Sequence, residues 1–340
     1  MGRLGALTGK VKMQRRERKL IMISRERKRL IQFLRATGSG NTVSEELMNM
    51  FRVRKTDDIM VPTRGGETHV YMHYPDSGQI RYPIFINIHG GGFIKTHREQ
   101  DAVFSKNICS RAGYAVIDID YTPAPEQKYP YALHQCYDVV KWAVGNSESL
   151  QLDPACISLC GHSAGGNLAA AIAILNNARH DFDIALQILD YPCLDLYTPP
   201  QFKRNAYKNP QKIPPEFAEL YHSVYAGGEY RLDPTVSSRV AQLYTSVYID
   251  DECRLDPTAS PLFAPIEMLA GLPETLIFTC GDDIWGEEAE KYAYRLLEEG
   301  VQVTARRFLN SSHGFVVRRK GQFEEAEDMI LYALNRVAAK

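Results

Sequence analysis

From about residue 68 onward, short apolar runs alternate with longer stretches of mixed character. HVYMHY (69–74), YPIFINIHG (82–90), YAVIDIDY (114–121), CISLCG (156–161), IALQILDY (184–191), TLIFTCG (275–281) and VQVTARRF (301–308) read as strands. Several are apolar at nearly every position, which marks strands covered on both faces rather than one. The segments between them, 100–112, 131–145, 164–178, 287–299 and 322–338, read as helices. This βαβ alternation predicts an α/β core with a mostly parallel, doubly wound sheet.

Residues 195–270 interrupt the alternation with many prolines and aromatics, and read as an insertion rather than a linker. The insertion contains a duplication: AELYHSVYAGGEYRLDPTVS (218–237) and AQLYTSVYIDDECRLDPTAS (241–260) are identical at 13 of 20 positions, with an offset of 23 residues. Two copies are too few for a stacked-repeat fold, so a local duplication is the simpler account. Each Asp-Pro is expected to end a helical turn.

Composition changes the picture at the N-terminus. The 340-residue chain carries a net charge of −1, yet residues 1–40 hold 12 Lys/Arg against 2 Asp/Glu, a local +10 that leaves −11 on the remainder. Such a block suits anionic lipid, nucleic acid or an acidic partner; the alternative is a solvated helix whose Leu20, Ile23, Leu30 and Leu34 pack on the body. The first residues have neither the apolar core nor the cleavage site of a secretory signal, and no apolar run is long enough to span a bilayer, so a cytoplasmic protein is expected. Seven cysteines without CxxC pairs argue against a disulfide framework and against a zinc site.

The candidate chemistry centres on CGHSAGGN (160–167), where a strand leads into a serine and a helix leads out. A serine hydroxyl is a weak nucleophile at neutral pH and needs a positioned base together with donors for the developing oxyanion. Gly161 and Gly165 fit the close strand–helix crossing of a G-x-S-x-G turn, which puts Ser163 at a helix N-terminus. HGGGF (89–93) follows a strand, and its glycines can aim the backbone amides of Gly91 and Gly92 at one point, with the amide of Ala164 as another donor. His313, in SSHGF after the last strand, is the candidate base. GDDIWGEE offers Asp282 and Asp283 as the orienting acid; strand alternation lets only one of them face the imidazole. Glu287 and Glu288 read as first-turn acids of the next helix, and His162 as a structural neighbour of the serine.

Taken in order, HGGGF, YTPAPEQKYPYAL, GHSAGGN, YPCLD, ASPLFA, GDDIWGEEAEKYAYRLLEEGV and HGF resemble the hormone-sensitive-lipase-like branch of the α/β-hydrolase superfamily over about residues 68–335. The resemblance implies an α/β-hydrolase fold with a helical cap and a triad of Ser163, Asp283 and His313. It also implies an oxyanion hole from Gly91, Gly92 and Ala164, with no cofactor and no metal. It selects Asp283 over Asp282 by its register before the paired glutamates. Three residues depart from the family pattern: His162 stands where Asp is usual, and Ile284 and Trp285 where a Pro-Leu pair is usual. Trp285 is a candidate for the pocket wall, and Glu126 matches a structural position.

The expected organisation is a basic helical segment at 1–50 contributing to the cap, core at 51–196, cap insertion at 197–262, and core again at 263–340. The implied activity is a carboxylesterase, acetylesterase-like, that cleaves small short-acyl esters through an acyl-enzyme. Its partner is then a small-molecule ester, with no nucleic acid, in a monomer or dimer, and surface binding through residues 1–40 is weak at most. An arylformamidase-type amidase and a catalytically silent receptor on the same fold are the alternatives.

Overall fold

The computed structural model describes residues 28–29, 31–32, 34–36, 43–203 and 236–339. By its contacts the chain divides into two units, residues 1–40 with 210–236 and residues 41–209 with 237–340. In the first, the described residues within 28–36 are helical, and Ile31 and Leu34 are buried. Leu20, Ile23, Leu30 and the first copy of the duplication up to residue 235 lie outside the described residues.

The second unit is built on one eight-stranded sheet, in the order β1-β2-β4-β3-β5-β6-β7-β8. The strands are β1 (Lys55–Thr63), β2 (Gly66–Tyr74), β3 (Tyr82–Ile88), β4 (Ala115–Asp120), β5 (Leu152–His162), β6 (Leu186–Asp190), β7 (Thr275–Cys280) and β8 (Val303–Phe308). β1 and β2 join antiparallel, and every pairing from β4 to β8 is parallel. The helices that carry the argument are α1 (Glu45–Met50), α2 (Glu99–Ala112), α3 (Tyr131–Gly145), α4 (Ala164–Arg179), α5 (Val236–Tyr248), α6 (Ile266–Leu269), α7 (Gly286–Glu298) and α8 (Phe323–Ala338).

Strands β3, β5, β6 and β7 are buried at almost every residue, because helices cover both faces. On one face Phe85, Val116, Cys160, Ile188, Phe278 and Phe308 meet Phe104 and Ile108 of α2 and Ile330 and Leu334 of α8. On the other, α4 packs against β5, β6 and α3, and α7 packs against β7 and β8. All seven cysteines are free thiols, six of them buried.

β1 has no counterpart among the expected strands. Its sequence KTDDIMVPT opens on charged residues and contains a proline, and only Val61 is fully buried. It is an edge strand held by pairing with β2, so its outer face carries no apolar signal.

The second copy of the duplication belongs to this unit. Leu243, Val247 and Tyr248 form the buried face of α5. The ring of Tyr248 stacks on Phe93 at 3.9 Å. Beyond α5, the Asp256 carboxylate accepts the amide of Thr258 at 2.8 Å and closes the turn at the Asp-Pro. The following ASPLFA is fastened to the core: Leu262 donates its amide to Leu194, and Asn167 Nδ2 donates to the carbonyls of both Cys193 and Ala259.

Among the described residues no helix is long and apolar enough to cross a membrane.

Candidate active site

Four parallel strands deliver the site from their C-terminal ends, where open α/β sheets place their ligands. β3 runs into His89–Phe93, β5 into Ser163, β7 into Asp283, and β8 into His313.

The turn at Ser163 is sharp, with φ 56° and ψ −113° at the serine itself. Its glycines are sterically required: a Cβ on Gly161 would lie 2.1 Å from the Gly165 carbonyl oxygen, and one on Gly165 would lie 2.0 Å from that of Ile88. The turn is held by two neighbours on the β6 side. Ser163 donates its amide to the Asp190 carbonyl at 2.9 Å, and Cys193 donates to the Ser163 carbonyl at 3.2 Å. Ala164 is the first residue of α4, whose leading amides have no partner within the helix.

Ser163 Oγ lies 2.7 Å from His313 Nε2, and His313 Nδ1 lies 2.7 Å from Asp283 Oδ2. The carboxylate fixes the ring proton on Nδ1, so Nε2 presents its lone pair to the serine hydroxyl. The second oxygen of Asp283 accepts the amide of Trp285 at 3.1 Å, which fixes the carboxylate's angle. Asp283 is buried and Asp282 is partly exposed; it is Asp283 that meets the imidazole. The His313 ring is flanked by Tyr191, edge-on at 4.9 Å, and by Trp285 at 4.7 Å.

The glycine loop comes up against the serine. A Cβ on Gly90 would touch Ser163 Cβ at 3.4 Å and crowd the His162 carbonyl oxygen at 2.9 Å. Gly91 and Gly92 have φ of 128° and 63°, a conformation that favours glycine. The ring of Tyr244, from α5, lies 2.5 Å from where a Gly92 Cβ would be, so α5 rests directly on this loop. Tyr244 escaped the sequence reading because an aromatic inside a repeat carries no mark of its target.

His162 points into the core beneath the serine, edge-on to Phe104 at 4.5 Å. Its Nδ1 lies 2.7 Å from Asp190 Oδ2 and its Nε2 lies 3.1 Å from Asn87 Oδ1. Glu288 corrects an expectation. It does not serve the start of α7 but is buried, accepting the amides of Leu194 and Asp195 and pairing with Lys203. Burial pushes its carboxyl up to about 7 against the pull of Lys203. Glu287 stays at the surface, 3.0 Å from Lys291 one turn on. Among the described residues no group of three or more His, Cys, Asp or Glu could hold a metal ion.

The family model of the alpha/beta hydrolase fold matches residues 85–317. The chain belongs to this family, in its hormone-sensitive-lipase-like branch, and stands among hydrolases of the carboxylesterase type. It is 27% identical over 268 residues to an arylesterase of Saccharolobus solfataricus, covering 78% of each chain. It is 29% identical over 264 residues to the carboxylic ester hydrolase LipN of Mycobacterium tuberculosis, covering 76% of this chain and 64% of that protein, a little under two thirds of its length. Among solved structures, the esterase of Pyrobaculum calidifontis superposes with a TM-score of 0.75 at 28% identity, over 91% of this chain and 94% of that one.

Proposed function

We propose that the protein is a serine carboxylic ester hydrolase that cleaves small, short-acyl esters through an acyl-enzyme. The observation that carries this reading is the continuous hydrogen-bonded line from Asp283 through His313 to Ser163, with 2.7 Å at each link. In this mechanism Ser163 Oγ attacks the ester carbonyl carbon while its proton passes to His313 Nε2. The amides of Gly91, Gly92 and Ala164 hold the oxyanion. His313 then gives its proton to the departing alcohol oxygen, leaving an acyl ester on Ser163. Water enters, loses a proton to His313, and releases the acid and the free serine. Asp283 stays ionised throughout and steadies the imidazolium.

Residues 51–196 and 263–340 are the hydrolase core in this reading, and residues 1–50 and 197–262 contribute the cap. The contacts of Tyr244 and Tyr248 with Gly92 and Phe93 support a roof over the acyl site made by the second repeat copy. A series of p-nitrophenyl esters of increasing acyl length tests the preference. The expected result is a kcat/KM highest at acetate to butyrate and falling with longer chains. Highest values at long acyl chains, or cleavage of N-formylkynurenine in preference to an aryl acetate, would overturn it.

A further inference from the structure

His313 meets two aromatic rings, and they belong to different parts of the fold. Tyr191, edge-on at 4.9 Å, is buried and packs on Phe315 within the main core. Trp285, at 4.7 Å and tilted by 45°, is half-buried and packs with Ile284 in a small cluster apart from that core. The imidazole keeps 26% of its side-chain surface exposed. The flank of the base that a ligand can reach is the indole side.

The indole is also held still. Trp285 donates its amide to Asp283 Oδ1 at 3.1 Å, and its carbonyl accepts the amide of Ala289 at 3.3 Å as α7 begins. Its backbone is thereby tied to the carboxylate that aims His313. A ring fixed in advance loses little freedom when a ligand packs on it. Proton transfer has no need of that ring, because the carboxylate receives only a backbone amide, which any residue except proline supplies.

The reaction decides which half of the ester lies there. In acylation His313 Nε2 gives its proton to the alcohol oxygen, which must come within about 3 Å of that nitrogen. Whatever borders the imidazole therefore borders the alcohol. An imidazolium forms at this moment, so a cationic alcohol would meet a like charge, whereas a neutral flat ring gains an offset or edge contact with the indole.

We infer that Trp285 selects the alcohol half of the ester, by packing against a neutral aromatic ring one or two atoms from the ester oxygen. The substrates are then phenyl and benzyl esters of small acids. This deepens the reading of Ser163 as the nucleophile of an ester hydrolase and rests on it.

The test compares benzyl acetate with cyclohexylmethyl acetate, whose alcohols are alike in size and leaving ability and differ in aromaticity, in wild type, Trp285→Leu and Trp285→Phe. Ethyl phenylacetate and ethyl cyclohexylacetate place the same two rings on the acyl side. The wild type should favour benzyl acetate in kcat/KM by about twofold to tenfold, the scale of an aromatic pair beyond simple burial. That ratio should fall to near one in Trp285→Leu and be largely kept in Trp285→Phe, while the ratio within the acyl pair stays the same in all three proteins. An indole that served only to steady His313 would, when replaced, lower all four rates together and leave both ratios unchanged; that result overturns the inference. So does a wild type without preference for benzyl acetate, or a collapse confined to the acyl pair. If Trp285→Leu does not fold, product inhibition of the wild type decides. Benzyl alcohol should inhibit more tightly than cyclohexylmethanol by the same factor, and equal inhibition overturns the inference. Failure to cleave any of the four esters, with Ser163 unreactive towards a fluorophosphonate, overturns the hydrolase reading with it.

Discussion

His162 Nδ1 lies 2.7 Å from Asp190 Oδ2, beneath the nucleophile. Asn87 Nδ2 donates to Asp118 Oδ1 at 2.9 Å and to Ser105 Oγ at 3.1 Å, and Ser105 in turn donates to Asp118 Oδ2 at 2.8 Å. The amide of Asn87 is thereby oriented with its oxygen towards His162, so His162 Nε2 must carry a hydrogen. The remaining proton lies between Nδ1 and Asp190, whose carboxyl is raised by burial. Wherever it sits, the pair is neutral overall, which is why two titratable groups can be wholly buried.

Removing one partner should therefore matter more than altering the other. His162→Leu leaves a buried carboxylate without its partner and should cost about 3–5 kcal/mol of stability. Asp190→Asn keeps a donor for Nδ1 and should cost less. Urea unfolding of the two variants checks the order. Equal losses would mean that the pair is not held by its shared proton.

His97 sets an alkaline limit to stability. Burial alone would lower it, but the Asp118 carboxylate at 2.7 Å, helped by Asp101 and Asp120, holds it up to about 9. Its ordinary value is near 6.5, so the folded state binds this proton more tightly than the unfolded one. The stabilisation is complete below about pH 6.5 and is lost as pH rises through about 9. His97→Gln should be less stable than wild type at pH 6, and the difference should narrow towards pH 9.5. A difference constant with pH would contradict the assignment.

The two aspartates of GDDIWGEE should separate in kinetics. Asp283→Asn loses the carboxylate that orients His313 and should lower kcat on the order of a thousandfold or more. Asp282→Asn should stay within a few-fold of wild type. Initial rates on p-nitrophenyl acetate distinguish them, and the reverse order would move the acid by one residue.

These pairs also show what the sequence could and could not reveal. The strands β3 to β7 were legible because apolar runs of that length have few other fates, whereas β1 was hidden by its charges and its proline. Ser163 and the glycine loop were legible because steric necessity leaves a mark on the chain, as the Gly161 and Gly165 contacts make plain. The choice between Asp282 and Asp283 needed the family register, since alternation says only that the two diverge. The bond from His162 to Asp190 joins residues 28 apart on neighbouring strands, and Glu288 reaches back 94 residues to the Leu194 amide. Partners of this kind are set by tertiary packing, and no local pattern records them.

Reaction with a fluorophosphonate, followed by intact mass and peptide mapping alongside p-nitrophenyl acetate hydrolysis, tests most directly whether Ser163 is the nucleophile activated by His313. The folded wild type should gain one adduct, on Ser163, with activity lost in proportion to labelling. His313→Ala should label far more slowly, and Ser163→Ala should neither label nor turn over ester at more than about 10⁻⁴ of the wild-type rate. Labelling at another residue, or wild-type-like turnover in Ser163→Ala, would contradict the account.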